Sequence, residues 1–210
     1  MELRSDSFQA GQPIPEEFAF ARPSGDEKHV VWAGNRNPHL AWTGAPLDTR
    51  SFVLFCVDRD VPSVGDDVNQ EGRSVAIDLP RVEFVHWVMA NIPGECRELA
   101  AGSCADGVVA HGKNNPIGPP NALQGLNSYT DWFAGDDAMR GDYRGYDGPC
   151  PPWNDERVHR YVFEVFALDV PTLGLPEGFR IADVRATMSG HVLDEGAYSG
   201  TYTLNPALRG

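Results

Sequence analysis

The chain has 210 residues, enough to bury the core of one domain, and we expect a single domain over residues 1–210. Its 17 Lys and Arg residues stand against 30 Asp and Glu residues, and a formal net charge of -13 excludes broad electrostatic binding to nucleic acid or anionic membranes. Any anionic ligand must therefore use a local pocket. The sequence shows no signal-peptide pattern and no apolar run of about 18 residues, so we expect a cytoplasmic protein without a transmembrane segment.

The first long apolar run, Phe52 to Ser63 (FVLFCVDRDVPS), predicts a buried strand that ends in charged residues. Shorter strand candidates precede it at 30–33 and 37–42. Asp58 and Asp60 are two residues apart, so both should point to the same face of the strand. Because Pro62 has no amide hydrogen, we expect sheet pairing to stop there and a turn to follow the acids.

Two further apolar runs also predict interior strands. Phe84 to Ile92 contains His86 and ends at a Pro-Gly turn, and Tyr161 to Leu168 is preceded by His159. The intervening residues 102–153 are rich in Gly, Pro, Asn and Asp and show no strand or helix period, which is typical of a functional loop.

The C-terminal part contains the one convincing helix, predicted over 181–193 because Val184, Met188 and Val192 share a face. A final strand is predicted over 198–204. Mostly strands, few helices and long loops favour a pair of antiparallel sheets with one or two helices at the side.

The candidate chemistry lies at the ends of the three long strands. In an antiparallel sheet the end of one strand lies beside the start of its neighbours, so Asp58, Asp60, His86 and His159 can converge. Each also has an ordinary explanation, since a lone Asp after a strand is usually a solvated turn residue and a lone His in a strand is usually a core residue. Tyr161 is likewise typical of a core position. Spacing alone leaves the function undecided.

Four blocks of residues carry a resemblance to a known family. They are 58–62 (DRDVP); 85–88 (VHWV) closing with 91–93 (NIP); 146–152 (YDGPCPP) followed by 159–161 (HRY); and the flanking 38–42 (PHLAW) and 188–193 (MSGHVL). In this order they resemble the phosphatidylethanolamine-binding protein family, most closely its bacterial Raf-kinase-inhibitor-like branch. The resemblance runs from about residue 35 to the end of the chain.

The resemblance implies a mainly β fold, a sandwich of two antiparallel sheets in a Greek-key arrangement with one or two small flanking helices and long loops. It also implies a small pocket for phosphate, acetate or a phospholipid head group, with no cofactor and no metal. The residues that match the pocket of the family are Asp58, Asp60, Pro62, His86, Cys150, Pro152, His159 and Tyr161. Bacterial relatives often pair as homodimers, and a homodimer or a protein partner is left open here.

An anion beside Asp58 and Asp60 requires a source of protons or positive charge. Either the carboxylates keep the two histidines protonated or one acid remains protonated, and Tyr161 adds a hydroxyl donor. Alternatively the acids accept the amine of a zwitterionic head group while the histidines hold its phosphate.

The sequence also departs from the family pattern. Arg59 replaces a Pro and Val61 an Ala, and 111–144 is longer than expected, with Trp132 and Phe133 inside it. We interpret this segment as a surface elaboration packed by its own aromatic residues, with a lid or dimer contact as the alternative.

The chain contains four cysteines, Cys56, Cys96, Cys104 and Cys150. Their spacing is too irregular for a disulfide framework or a paired zinc motif. Free thiols are expected, with a Cys96–Cys104 bridge as the alternative. Cys150 is interpreted as an inert filler of the pocket edge rather than a nucleophile.

The sequence favours a binding protein for a small anion or phosphorylated ligand, with regulation through a protein partner left open. The alternative is a hydrolase- or lyase-type enzyme in which Asp58 or Asp60 works with His86 and His159 as acid and base. Against it, the sequence has no serine nucleophile elbow and no phosphate-cradling Gly loop. A metal site of both histidines and one Asp is a weaker third hypothesis, because the two-His helical spacing is missing.

Overall fold

The computed structural model describes residues 1–114 and 116–209. In these residues the chain forms ten β-strands, two α-helices and two short 3-10 helices. The strands are β1 (Glu2–Arg4), β2 (Ala21–Pro23), β3 (Val30–Trp32), β4 (Leu40–Thr43), β5 (Ser51–Pro62), β6 (Arg81–Pro93), β7 (Glu98–Leu99), β8 (Leu123–Gln124), β9 (His159–Leu168) and β10 (Val192–Tyr202). The α-helices are α1 (Tyr129–Trp132) and α2 (Ile181–Met188), and the 3-10 helices span Glu16–Phe18 and Pro206–Leu208.

The larger sheet has five antiparallel strands in the order β10-β9-β5-β6-β8. The predicted central strand is its middle member, and β5 is buried from Ser51 to Asp58 because both of its faces are covered. Near-continuous apolar sequence is what a strand covered on both faces requires.

One face of this sheet packs against the smaller antiparallel sheet β1-β4-β7, and the aromatic side chains between them include Trp42, Phe52, Trp87 and Phe163. The opposite face packs against α2 through Val184 and Met188. Strands β2 and β3 form a separate two-stranded ribbon. The predicted mainly β sandwich with small flanking helices is confirmed.

Two predicted boundaries were wrong. The helix ends at Met188 instead of residue 193, because Gly190 adopts a left-handed backbone (φ +86°) and residues from Val192 onward pair with β9. The final strand spans Val192–Tyr202 instead of 198–204, because Val192 to Tyr202 pair with β9. Sheet pairing ends at Pro62, as predicted, since Pro62 pairs with Arg81 as the last residue of β5. A register shift between Asp58 and Val61 accommodates the irregular end of this strand.

All four cysteines are free thiols, so the alternative Cys96–Cys104 bridge is not formed. Cys56 and Cys104 are buried, and Cys96 and Cys150 are half-buried.

The register of the larger sheet positions the candidate chemistry. Asp58 on β5 lies opposite Phe84 on β6 and opposite Tyr161 on β9. His86 is two residues further along β6, and His159 is two residues before Tyr161 on β9. Three neighbouring strands therefore bring an acid, an imidazole and a phenol to the same end of the sheet.

Candidate functional site

A cavity of about 130 Å³ opens at this end of the sheet. Six of the eight predicted pocket residues line it, namely Asp58, Pro62, His86, Cys150, Pro152 and Tyr161. The structure does not place Asp60 or His159 on the cavity wall, although both lie next to Asp58.

His159 supports Asp58 from behind the cavity wall. Its Nδ1 lies 2.7 Å from Asp58 Oδ2 and its Nε2 lies 3.1 Å from Asp155 Oδ2. Both partners are carboxylates that accept, so the ring must carry a proton on each nitrogen to make both hydrogen bonds. Arg81 in turn donates to both oxygens of Asp155. The result is a buried row of alternating charge that ends at Asp58 on the cavity floor.

The pKa of His159 agrees with this double protonation. Burial opposes the charged ring, but the hydrogen bonds to Asp155 and Asp58 outweigh it and raise the pKa of His159 to about 9. Burial likewise opposes the ionised form of Asp155, and the hydrogen bonds from His159 and Arg81 lower its pKa below the usual value. His159 is therefore a cation at neutral pH and balances the charge of Asp58.

Asp60 does not line the cavity, because its carboxylate is engaged by other partners. Oδ1 accepts from Arg157 at 3.1 Å and Oδ2 accepts from the backbone N–H of Arg160 at 3.1 Å. Its own N–H donates to Asp58 Oδ1 at 2.8 Å. Asp60 thus helps to orient Asp58 through the backbone, while its charge is paired with Arg157.

His86 is held by the backbone carbonyl of Asp147, which lies 2.7 Å from Nδ1. A carbonyl only accepts, so Nδ1 carries the proton and Nε2 is the nitrogen left for the cavity. Burial lowers the pKa of His86, and the negative charge of Asp58 offsets this only in part. His86 is therefore neutral at neutral pH and presents an acceptor to the cavity.

Asp147 is fixed by a buried polar cluster. Its Oδ1 accepts from Lys113 at 2.6 Å and from Asn35 at 2.8 Å, and its Oδ2 accepts from Asn127 at 2.8 Å. Three partners from three distant segments determine where the carbonyl that holds His86 lies. The sequence had placed residue 147 in a family block, but it gave no sign of this supporting role.

The side chain of Tyr161 is fully buried, and its hydroxyl makes no hydrogen bond of standard geometry among the described residues, although the Asp58 carboxylate is close enough to act on it. Burial, and then the nearby charge of Asp58, raise the pKa of Tyr161 well above its usual value. The phenol is therefore a neutral donor on the wall of the cavity. Tyr129, which also lines the cavity, is different because its hydroxyl donates to the carbonyl of Gly148 at 2.8 Å.

Cys150 lies on the cavity wall in an inert form. Burial raises the pKa of its thiol to about 12, so a thiolate is not formed near neutral pH. In the described part of the chain, no group of three or more His, Cys, Asp or Glu side chains is arranged to hold a metal ion. The same residues contain no helix long and apolar enough to cross a membrane.

A loop that follows β5 forms one rim of the cavity, and we call residues 63–73 the rim loop. Asn154 fixes it: its Oδ1 accepts from the N–H of Asn69, and its Nδ2 donates to the carbonyls of Asp67, Gln70 and Arg73. The role of Asn154 was missed because a side chain about 85 positions away in the sequence makes these contacts.

Comparison with known proteins relates this fold to a family. A family model described as phosphatidylethanolamine-binding protein matches residues 4–203. The UPF0098 protein of Aquifex aeolicus is 32% identical over 204 residues, which cover 96% of this chain and 88% of that protein. The UPF0098 protein YbhB of Escherichia coli is 29% identical over 203 residues, which cover 97% of this chain and 100% of that protein.

Solved structures agree with this relationship. A crystal structure of a phosphatidylethanolamine-binding protein homolog, CT736 from Chlamydia trachomatis, superposes with a TM-score of 0.64 at 26% identity, covering 96% of this chain and 95% of that chain. Escherichia coli YbcL superposes with a TM-score of 0.69 at 22% identity, covering 96% and 97%, which shows a shared fold. Because the family model spans nearly the whole chain, this protein belongs to the phosphatidylethanolamine-binding protein family, as its four sequence blocks predicted.

Proposed function

We propose that the cavity binds a small oxyanion, and in particular a phosphorylated ligand related to a phospholipid head group. One observation carries the proposal: Tyr161 and His86, two buried residues that line the same small cavity, each keep a polar atom with free hydrogen-bonding capacity, whereas the hydroxyl of the neighbouring Tyr129 is engaged by the carbonyl of Gly148. Buried polar groups are nearly always hydrogen-bonded, and a ligand oxygen supplies the missing partner.

The charge of Asp58 is compatible with an anionic ligand for two reasons. Its pair with His159 is neutral overall, so the anion meets a dipole instead of a free charge. A carboxylate on the floor also accepts a hydrogen bond, and either a protonated phosphate oxygen or an ammonium group can donate it. A phosphate carrying such a donor satisfies Tyr161, His86 and Asp58 together.

We propose binding rather than catalysis because the nucleophilic groups on the wall are held neutral. Burial raises the pKa of the Cys150 thiol to about 12 and that of the Tyr161 phenol well above its usual value. Neither provides an anion for attack at neutral pH. Turnover of esters or amides that disappears in a His86→Ala variant would replace this proposal with the enzyme hypothesis.

Nuclear magnetic resonance tests the proposal directly. Inorganic phosphate and phosphoethanolamine are titrated separately while the imidazole signals of His86 are followed. We expect His86 to shift with saturation at millimolar ligand or below. His39 serves as an internal control, because its ring nitrogens are occupied by the N–H of Asp6 and by Glu98 in a different part of the fold. An unchanged His86 signal with both ligands would refute the proposal.

A further inference from the structure

The cavity changes character from floor to mouth. Its buried polar groups with free hydrogen-bonding capacity, Tyr161 and His86, lie on the floor, and the side chains of Ser63 and Asn69 line the rim. Two of its lining residues, Trp132 of α1 and Val64 of the rim loop, each leave 53% of their surface exposed and so form its solvent-facing part. The mouth therefore offers apolar surface next to a polar floor.

The backbone at Trp132 is held in place by contacts of α1 with neighbouring elements. The hydroxyl of Ser128, just before α1, accepts from the N–H of Val85 at 2.9 Å, which fixes the helix to β6. Asp131 accepts two hydrogen bonds from Arg180, at 2.8 and 3.0 Å, which tie α1 to the residue before α2. A ligand that packs on this indole consequently orders little of the protein on binding.

Val64 is supported in the same way, because the rim loop is held by Asn154. That side chain is 6% exposed and makes four hydrogen bonds to residues 67–73. Both halves of the apolar mouth are therefore preorganised. Trp132 is half-exposed beside a small polar cavity. A ligand that extends out of the cavity can therefore cover the apolar surface of its ring.

We infer that Trp132 and Val64 form a second subsite, which takes a flat apolar group attached to the oxyanion on the floor, so that phosphate monoesters of aromatic alcohols are preferred over small phosphates. This inference rests on the proposed function, since the phosphoryl group anchors the ligand. Trp132 lies in the long segment 111–144, so this half of the subsite belongs to a part of the chain that departs from the family pattern, whereas Val64 lies in the rim loop.

Calorimetric titration with three probes tests the inference: inorganic phosphate, methyl phosphate and phenyl phosphate. The two esters share a charged group and differ in apolar area. We expect phenyl phosphate to bind about tenfold more tightly than methyl phosphate, a factor that corresponds to burial of roughly 55 Å² of apolar surface. In Trp132→Ala that ratio should fall to near one while methyl phosphate binds as before, and Trp132→Phe should keep most of the preference.

Trp32→Ala is the matched control, because Trp32 is 48% exposed and does not line the cavity. Its ratio of phenyl to methyl phosphate affinity should equal that of the wild type. Equal binding of the two esters by the wild type, or a preference that survives Trp132→Ala, would overturn the inference and leave phosphate binding intact. If none of the three probes binds, the proposed function itself fails.

Discussion

The substitution Tyr161→Phe tests ligand binding separately from folding, because it removes the hydroxyl and leaves the ring in place. If the hydroxyl donates to a charged phosphate oxygen, its loss removes a charge-assisted hydrogen bond of about 1.5–3 kcal/mol. This corresponds to a Kd for phosphate that rises about tenfold to a hundredfold.

The same substitution should leave the folded state as stable as before. The hydroxyl is buried and makes no hydrogen bond of standard geometry among the described residues, so its removal costs the free protein little. We expect the free energy of unfolding to change by less than about 0.5 kcal/mol or to increase, because an unsatisfied buried polar group is removed.

Tyr202→Phe is the matched control. Tyr202 is also buried, but its hydroxyl donates to the carbonyl of Ala21 at 2.8 Å and it does not line the cavity. Its loss should lower the free energy of unfolding by about 1 kcal/mol and leave phosphate affinity unchanged. The two variants should therefore show opposite patterns.

Calorimetric titration with phosphate gives the affinities, and urea denaturation without ligand gives the stabilities. An unchanged Kd for Tyr161→Phe would show that the hydroxyl does not contact the ligand. A loss of stability as large as that of Tyr202→Phe would show that the hydroxyl is already satisfied in the free protein. Either result refutes the reasoning that selects this cavity.

Three further predictions concern the titrating groups. Asp155→Asn should lower the pKa of His159 from about 9 and destabilise the fold by about 3 kcal/mol. Proton resonance titration measures the pKa, and urea denaturation measures the stability. A pKa that stays near 9 would contradict the explanation that hydrogen bonds to Asp58 and Asp155 raise it. The pKa of His159 is raised above the unfolded value of about 6.5, so its contribution to stability is complete below that pH and is lost as pH rises through about 9. The free energy of unfolding should therefore fall by up to about 3 kcal/mol over this window, and by less in Asp155→Asn. Equal pH dependence of stability in the two proteins would refute this prediction. Burial lowers the pKa of His86, and a bound anion favours its protonated form. The affinity for sulfate, which keeps its charge over this range, should therefore rise as pH falls from about 8 to 5. If the same pH dependence persists in His86→Asn, the group that takes up the proton is not His86.

The sequence predicted the strands of the large sheet because their signal is local. β5, β6 and β9 each carry a long apolar run, and such a run is what burial on both sheet faces demands. The end of α2 was misjudged for an equally local reason. Val192 continues the helical spacing of Val184 and Met188, but the backbone reverses at Gly190 before it is reached.

The site could be predicted only in part, because the sequence shows on which strand each residue lies but not which side chains it contacts. Strand ends brought Asp58, His86 and Tyr161 to one cavity, as their positions along the runs indicated. The split between Asp58 and Asp60 depends on Arg157, which is close in space but 97 positions away in the sequence. Sequence spacing carries no information on such a contact.

Asp155 illustrates the same limit. It lies four residues before His159, but it precedes a strand instead of sharing a helix face with it, so spacing alone does not predict a contact. The parallel bridge between Val75 and Asp155 and the ion pair with Arg81 bring it there. A buried carboxylate with a guanidinium and an imidazolium on either side emerges only when three segments are assembled.

The arrangement of these charges makes the proposed anion binding compatible with the net charge of -13. Arg81, Asp155, His159 and Asp58 alternate in sign, so the buried row is neutral and adds little long-range field at the cavity. Distant surface carboxylates are screened by salt within about 10 Å, whereas a ligand inside the cavity contacts its donor at hydrogen-bond distance. For the proposed ligand, we therefore expect short-range donation by Tyr161 and by a protonated His86 to determine the affinity, and the net charge to affect mainly how fast an anion reaches the mouth.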